Sequence, residues 1–207
     1  MESKTPNQRG WRGSADIWLD AAYQALVQTG VESVKVMPLA QSLGLSRTSF
    51  YWHFADREAL LAALIARWRD RNTQNLIDRT QAPAERITGA VLNLFDCWIT
   101  PALFDSALEF SMRNWSLTDP DLAQILAQED ERRLNALRLM FLRYDFPADQ
   151  ADIRARTIYL TQVGYIAMRA KEDRMLRLTR MPTYVEAFTG IAPNAQEVAD
   201  FLQRHRD

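Results

Sequence analysis

The stretch GLSRTSFYWHF, residues 44–54, decides how this chain is read. Before it, Leu39, Ala40 and Leu43 fall at helical spacing within residues 36–43. Pro38 is compatible with a helix there, because amides of an opening turn have no intrahelical acceptor to lose. Gly44 lets the chain turn without a Cβ clash, and Ser46 can cap a second short helix running to about residue 53. Two short helices joined by Gly44-Leu45-Ser46 form a helix-turn-helix. Leu39, Ala40, Leu43, Leu45 and Phe50 can make the small core between them, with Ala40 small enough for helices to cross. The second helix then exposes Arg47, Thr48, Ser49, Tyr51, Trp52 and His53. That set is odd for a solvated face. It suits a major groove, where arginine and hydroxyls meet phosphates and base edges and aromatic edges meet thymine methyls. On spacing alone, Tyr51, Trp52 and Phe54 can also be read as core.

Outward from this stretch the pattern stays helical. Ser14 can cap a helix carrying Trp18, Leu19, Ala22, Leu26 and Val27, which Thr29-Gly30 stops. Asp56 can cap a long helix through Leu60, Leu61, Leu64 and Trp68 to about Asp78, its polar far end suggesting a strut between two bodies. Pro83 and Pro101 are expected to open helices over residues 84–99 and 102–114, and Asp119-Pro120 opens another to about residue 142. A break at residues 144–147 leads to a helix over 148–170. A short helix near 184–188 and one capped by Asn194 with Glu197 at its third position close the chain. The expected fold is all-α: an N-terminal three-helix head (14–58) joined by the long helix to a C-terminal bundle (59–207). Residues 1–13, polar with Pro6, Gly10 and Gly13, read as a mobile arm, either inert or placing Arg9 and Arg12 in a minor groove.

Residues 44–54, continued by Asp56-Arg-Glu-Ala-Leu60, closely resemble the DNA-binding region of the TetR family of bacterial regulators. In that family a glycine-containing turn leads to a recognition helix ending Tyr-x-His-Phe, followed by a basic residue and Leu. Trp18-Leu19-Asp-Ala-Ala22, Gly30 and Val36-x-x-Leu39-Ala40 also fall where the pattern expects them, so the resemblance covers about residues 14–65. Beyond it, only length and helix order are similar. The resemblance implies that Arg47, Thr48 and Ser49 reach bases and phosphates, that Tyr51 contacts a phosphate, and that Trp52 and His53 occupy the next contact positions. Phe54 becomes core. Arg57 stands where the family most often has Lys, and its charge suits a phosphate although a helix N-terminus favours anions. Lys35 departs from the family's Thr or Ser cap. Losing that hydrogen bond costs about 1 kcal/mol unless Ser33 or water substitutes, while the Lys35 charge can still meet phosphate.

Composition narrows the classes. The chain has 207 residues, 47% of them hydrophobic, with seven Gly and eight Pro, which allows a sizeable core and favours long helices over turn-rich β structure. One cysteine, Cys97, excludes a disulfide framework and suits a reducing cytoplasm. His53 and His205 are the only histidines, so no metal set is expected. No apolar run is long enough for a membrane helix, and the polar N-terminus does not read as a secretory signal. The formal net charge is −1, so a basic patch for nucleic acid must be local.

The C-terminal two-thirds shows no catalytic motif, and an enzyme is not expected. Glu129 to Arg133 reads as a solvated, charge-paired helix face, and Cys97 as a buried, inert thiol. No cofactor is expected, but the family resemblance implies a cavity for a small-molecule effector. Of the many aromatics, most of them core, Trp98, Phe110, Trp115 and Tyr165 are the candidates for its wall. Two-fold helix-turn-helix proteins need a symmetric interface. The small residues of the helix over 148–170, among larger apolar ones, make Ala155, Tyr159, Val163, Gly164 and Ala167, with Phe188, candidates for it, unless they form an intramolecular core. The expected function is that of a ligand-responsive regulator binding a palindromic double-stranded operator as a homodimer, a repressor in its simplest form. The alternative is a helical small-molecule-binding protein whose DNA head is unused.

Overall fold

A computed structural model describes residues 13–206, and every regular element among them is helical. The expected N-terminal arm lies almost wholly outside the described residues. The chain divides into two compact units between Ala66 and Arg67.

In the first unit, Ser14 caps α1 (Ala15–Thr29), and Trp18, Ala22 and Leu26 bury one stripe of it. Gly30 ends the helix at φ 102°. After a 3-10 turn, Val31–Ser33, comes α2 (Val36–Leu43), with Lys35 at the N-cap making no side-chain cap bond. Ser33 does not substitute, since its hydroxyl is directed at the carbonyls of Gly30 (2.6 Å) and Ala25 (2.8 Å). Gly44 closes α2 in the left-handed conformation, φ 63°, with its amide on the Ala40 and Gln41 carbonyls. A Cβ there would meet nothing within 4 Å, so backbone conformation rather than space calls for glycine. Ser46 then caps α3 (Arg47–Phe50) through the Ser49 amide. The helical course tightens after Phe50, with the His53 amide on the Phe50 carbonyl at 2.9 Å. Phe50 is fully buried, edge-on to Trp18 at 5.3 Å. Phe54 is half-buried instead of core, stacked on Phe50 at 5.6 Å.

Asp56 accepts from the Ala59 amide at 2.7 Å and starts α4 (Arg57–Trp68), which runs on through a π-helical turn, Arg69–Gln74, into α5 (Asn75–Gln81). The expected polar strut is not what forms. The π turn rotates Asn72 and Thr73 into the second unit's interior, where both are fully buried.

The second unit is built around α6 (Ile87–Ile99). Its sequence, ITGAVLNLFDCWI, is apolar on nearly every face, and eleven of its residues are buried. Packed around it are α5, α8 (Pro120–Leu142), α10 (Arg174–Thr189) and α11 (Ala195–Arg204). α7 (Ser106–Ser116) and α9 (Ala148–Ala167) pack on α8. The Asp119-Pro120 start of α8 and the Asn194–Glu197 capping box of α11 form as the sequence predicts.

At three prolines the observed helices differ from the expected ones. Pro83 does not open α6, which starts at Ile87, because the Pro83 and Ala84 carbonyls accept from Asn93 and Tyr144 and the segment stays outside the helix. Pro101 sits in a turn whose carbonyls accept from Arg71 and Asn75, and Asp105 instead caps α7. Pro182 lies inside α10, which spans sixteen residues where only a short helix was expected. Removing one amide is outweighed by the buried stripe Leu178, Met181, Val185 and Phe188.

The charged run in α8 is also not a solvated face. Glu129 is almost fully buried and Arg133 wholly so. Arg133 donates to Glu109 (2.8 Å), Tyr159 (3.0 Å) and Thr73 (2.9 Å), and Glu109 also accepts from Trp68 and Asn72. Burial alone would push the Glu109 carboxyl up, but the Arg133 and Arg113 guanidiniums beside it hold it down at about 2.

Candidate nucleic-acid interface

The surface of α3 and the turn after it carries most of the predicted contact residues. Arg47 and Thr48 are exposed, Tyr51 is 46% and Trp52 60% exposed, and His53 is half-buried. Arg47 and Tyr51 lie one turn apart. The guanidinium donates to the Tyr51 hydroxyl (Nη2 3.0 Å, Nε 3.3 Å) and lies over its ring at 5.5 Å. The pair sets a cation and a phenol side by side, two donors suited to phosphate or base edges. Lys35 is exposed at the start of α2.

Two predicted DNA-facing residues change role. Ser49 is only 8% exposed, because its amide takes the Ser46 cap and its hydroxyl lies 3.0 Å from that of Ser46. It belongs to the start of α3 and not to the outer face. Arg57 turns inward, donating to the carbonyls of Val34 (2.6 Å) and Val31 (3.1 Å). Those carbonyls lie in the α1–α2 connection, so Arg57 braces the head instead of standing ready for phosphate. Arg47 and Lys35 are left as the exposed cations of residues 13–66, which hold five acidic and three basic side chains.

In the second unit, the four aromatics proposed for a cavity wall divide. Trp98 and Tyr165 line one cleft with Gln162, Glu172, Arg177 and Tyr184, between α6, α9 and α10. Phe110 and Trp115 do not reach it. Phe110 lies beneath the Arg169 guanidinium (5.3 Å), and Trp115 donates to Asp119 (3.0 Å), the residue that also caps α8. Sequence reasoning missed Arg177 because it expected only a short helix near residues 184–188, whereas α10 begins at Arg174.

The expected interface residues also divide. Ala155, Tyr159 and Phe188 are buried within the chain, so they cannot face a partner. Ala151 and Ala155 are buried where α9 packs, chiefly on α8, and Tyr159 donates to Asp130 of that helix at 2.6 Å. Val163 and Gly164 are half-buried, and Ala167 is exposed. The outward side of α9 carries Ile153, Leu160 and Met168, all more than half exposed. A Cβ on Gly164 would meet nothing within 4 Å. The signal was the apolar spacing 153, 160, 168, obscured by the small-residue stripe running beside it.

No catalytic constellation emerges from the charged groups of the described residues. The Glu129–Arg133 run is tied into ion pairs, and burial pushes the Cys97 thiol up to about 12, leaving it protonated near neutral pH. No described helix is long and apolar enough to cross a membrane.

Residues 19–64 match the family described as bacterial regulatory proteins, tetR family. The tetracycline repressor protein class D of Escherichia coli is 41% identical over 46 residues, which span 22% of this chain and 21% of that protein. The chain therefore matches only about a fifth of the length of this curated relative. Two solved structures share the fold of nearly the whole chain. Salmonella enterica GusR is 18% identical, with TM-score 0.62, over 91% of this chain and 100% of its own. A transcriptional regulator from Rhodococcus sp. Rha1 is 17% identical, with TM-score 0.59, over 93% of this chain and 97% of its own. The helix-turn-helix head thus matches the tetR family of bacterial regulatory proteins, and the all-helical body behind it shares the fold of two solved structures.

Proposed function

We propose that the protein is a DNA-binding transcriptional regulator that grips a near-palindromic operator as a homodimer and represses until a small molecule binds its body. The observation that carries this reading is the α3 surface, where Arg47, Thr48, Tyr51 and Trp52 stand exposed on a turn held by Gly44 and the Ser46 cap. Tyr51 packs edge-on to Phe50, yet 46% of Tyr51 and 60% of Trp52 stay unburied in the fold. They gain on contact with a groove.

A dimer doubles the few local cations, and the outward side of α9 is the face proposed for it. Ile153, Leu160 and Met168 form an apolar strip, and Gly164 leaves room for a close helix crossing. Repression is relieved only if the effector binds the DNA-incompetent state more tightly than the competent one. Along the chain, the link from body to head is α5, the π turn and α4.

Gel shift against duplex DNA from upstream of the protein's own gene, at low salt, tests the reading. A retarded complex containing two chains is expected. Leu160→Glu should yield a monomer that binds at least tenfold more weakly, roughly the effect of halving the cations that meet phosphate. No binding to any duplex sinks it and favours the small-molecule-binding alternative.

A further inference from the structure

The outer surface of α3 holds its one arginine in an arrangement that selects among bases. Tyr51 rests its ring edge-on against the fully buried Phe50, centroids 5.3 Å apart, and Phe50 is itself edge-on to Trp18. The phenol is thus anchored on the core of the head, and its hydroxyl meets Arg47 at the surface. That oxygen accepts from both Nε (3.3 Å) and Nη2 (3.0 Å) of Arg47, and the guanidinium carbon lies 5.5 Å from the ring centroid. An unheld arginine in solvent samples many rotamers, and fixing them at the moment of contact opposes binding. Here Tyr51, one turn along the same face, restrains Arg47 in advance.

The donors that remain decide what the pair can read. Tyr51 occupies the Nε–Nη2 side of the guanidinium. Among the described residues the Nη1–Nη2 end takes no acceptor, and it carries two parallel N–H groups. In the major groove guanine presents two acceptors, O6 and N7. Adenine presents an acceptor beside a donor, cytosine a donor, and thymine the single acceptor O4. Only guanine satisfies both arms of the fork. A phosphate also offers paired oxygens, but other groups of the head suit it better. The Tyr51 oxygen accepts from Arg47, which leaves the phenol proton to donate to the backbone. Lys35, exposed at the start of α2, is a point charge that meets phosphate without demanding a geometry.

We infer that Arg47 reads a guanine in each half of the operator and that Tyr51 is the positioning residue that aims it. The Nη1–Nη2 end donates to guanine O6 and N7, while the Tyr51 hydroxyl donates to a phosphate of the same site. Seated between the two backbones, the guanidinium charge still displaces condensed counterions. This rests on the DNA-binding reading above and names a base pair that the operator contains.

Selection of duplexes from a random-sequence library by the full chain, followed by fluorescence anisotropy on the selected site, tests the assignment. A G·C pair should recur in each half-site, and replacing it with A·T should weaken binding about tenfold or more, roughly the discrimination of one two-bond contact. A 7-deazaguanine at that position, which lacks the N7 acceptor, should weaken binding severalfold. Arg47→Ala should bind the G·C and A·T duplexes equally. Tyr51→Phe keeps the ring on Phe50 and removes only the hydroxyl, with the thermal unfolding midpoint showing that the fold is kept. It should weaken both duplexes and also narrow the G·C preference severalfold, which loss of a phosphate contact alone would not do. Guanines whose replacement costs Arg47→Ala as much as the unaltered chain, or half-sites without a recurring guanine, overturn the base contact and leave Arg47 on phosphate. Equal weakening of both duplexes by Tyr51→Phe, with the preference intact, overturns the positioning role. Duplexes selected without the guanine refute only this contact, whereas selection that retains no duplex refutes the regulator as well.

Discussion

In the head, Tyr51 and Trp52 stand in solvent beside Arg47, whereas in the body Trp68 and Phe104 close over Arg133, with guanidinium-to-ring distances of 5.1 and 5.8 Å. Both regions pair arginine with aromatic rings. One pair is available to an incoming partner and contributes little to the fold, since an exposed contact competes with water. The other is wholly desolvated and tied to Glu109, Tyr159 and Thr73. The same residue types therefore serve recognition in one place and architecture in the other. Burial decides which.

The largest effect that would break this contrast lies in the body. Arg133→Ala leaves the Glu109 carboxylate buried and short of its main partner, and should cost about 3–5 kcal/mol in a urea unfolding series. Replacing both, as Glu109→Leu with Arg133→Met, should recover most of that loss. A cost for Arg133→Ala below about 1 kcal/mol, the range of an exposed pair, would mean that the two regions do not differ in this way. The pH dependence follows from the same pair. The folded-state Glu109 carboxyl is held at about 2, below its ordinary value of 4.5, so its stabilisation is complete above that ordinary value. It is lost as pH falls from about 4.5 through about 2. In the Glu109→Leu/Arg133→Met chain, unfolding followed across that window should show a shallower acid slope.

A smaller effect concerns Arg57, where the head uses a cation internally. Arg57→Lys keeps the charge but cannot reach the Val31 and Val34 carbonyls together, and should destabilise the head by about 1–2 kcal/mol. The salt dependence of DNA binding should stay the same. Unchanged stability with altered salt dependence would return Arg57 to the phosphate-contacting role.

Much of the head was legible in advance because its signals are local. Ser14, Gly30, Gly44 and Ser46 act within a few residues of themselves, and each ends or caps the helix predicted for it. Ser49 and Arg57 were misplaced because their partners, the Ser46 hydroxyl and two carbonyls more than twenty residues away, do not show in periodicity. In the body the deciding partners are more distant still. Pro83 and Pro101 look like helix openers until Asn93, Tyr144, Arg71 and Asn75 take the nearby carbonyls. Glu129 and Arg133 have the spacing of a solvated face, yet the π turn, which has no local signature, brings Thr73 to Arg133, and Glu129 pairs with Arg69. Ala155 and Tyr159 were read as an outward seam because small residues permit close approach, but spacing does not say from which side the neighbouring helix comes. That neighbour is α8.

Whether the α3 face reads DNA is decided by the salt dependence of duplex binding, compared between the unaltered chain and Arg47→Ala. With Lys35 and Arg47 as the exposed cations of each head, a dimer should show a slope of log K on log salt of about −4. A steeper one would mean that Lys4, Arg9 and Arg12 also engage. Fluorescence anisotropy between 50 and 200 mM salt, roughly the range in which counterion release dominates, gives that slope. Arg47→Ala should bind more weakly, with a slope shallower by about 2 because each head then neutralises one phosphate fewer, and with thermal stability unchanged. An Arg47→Ala protein that binds the same duplex with the same affinity and the same slope would contradict it.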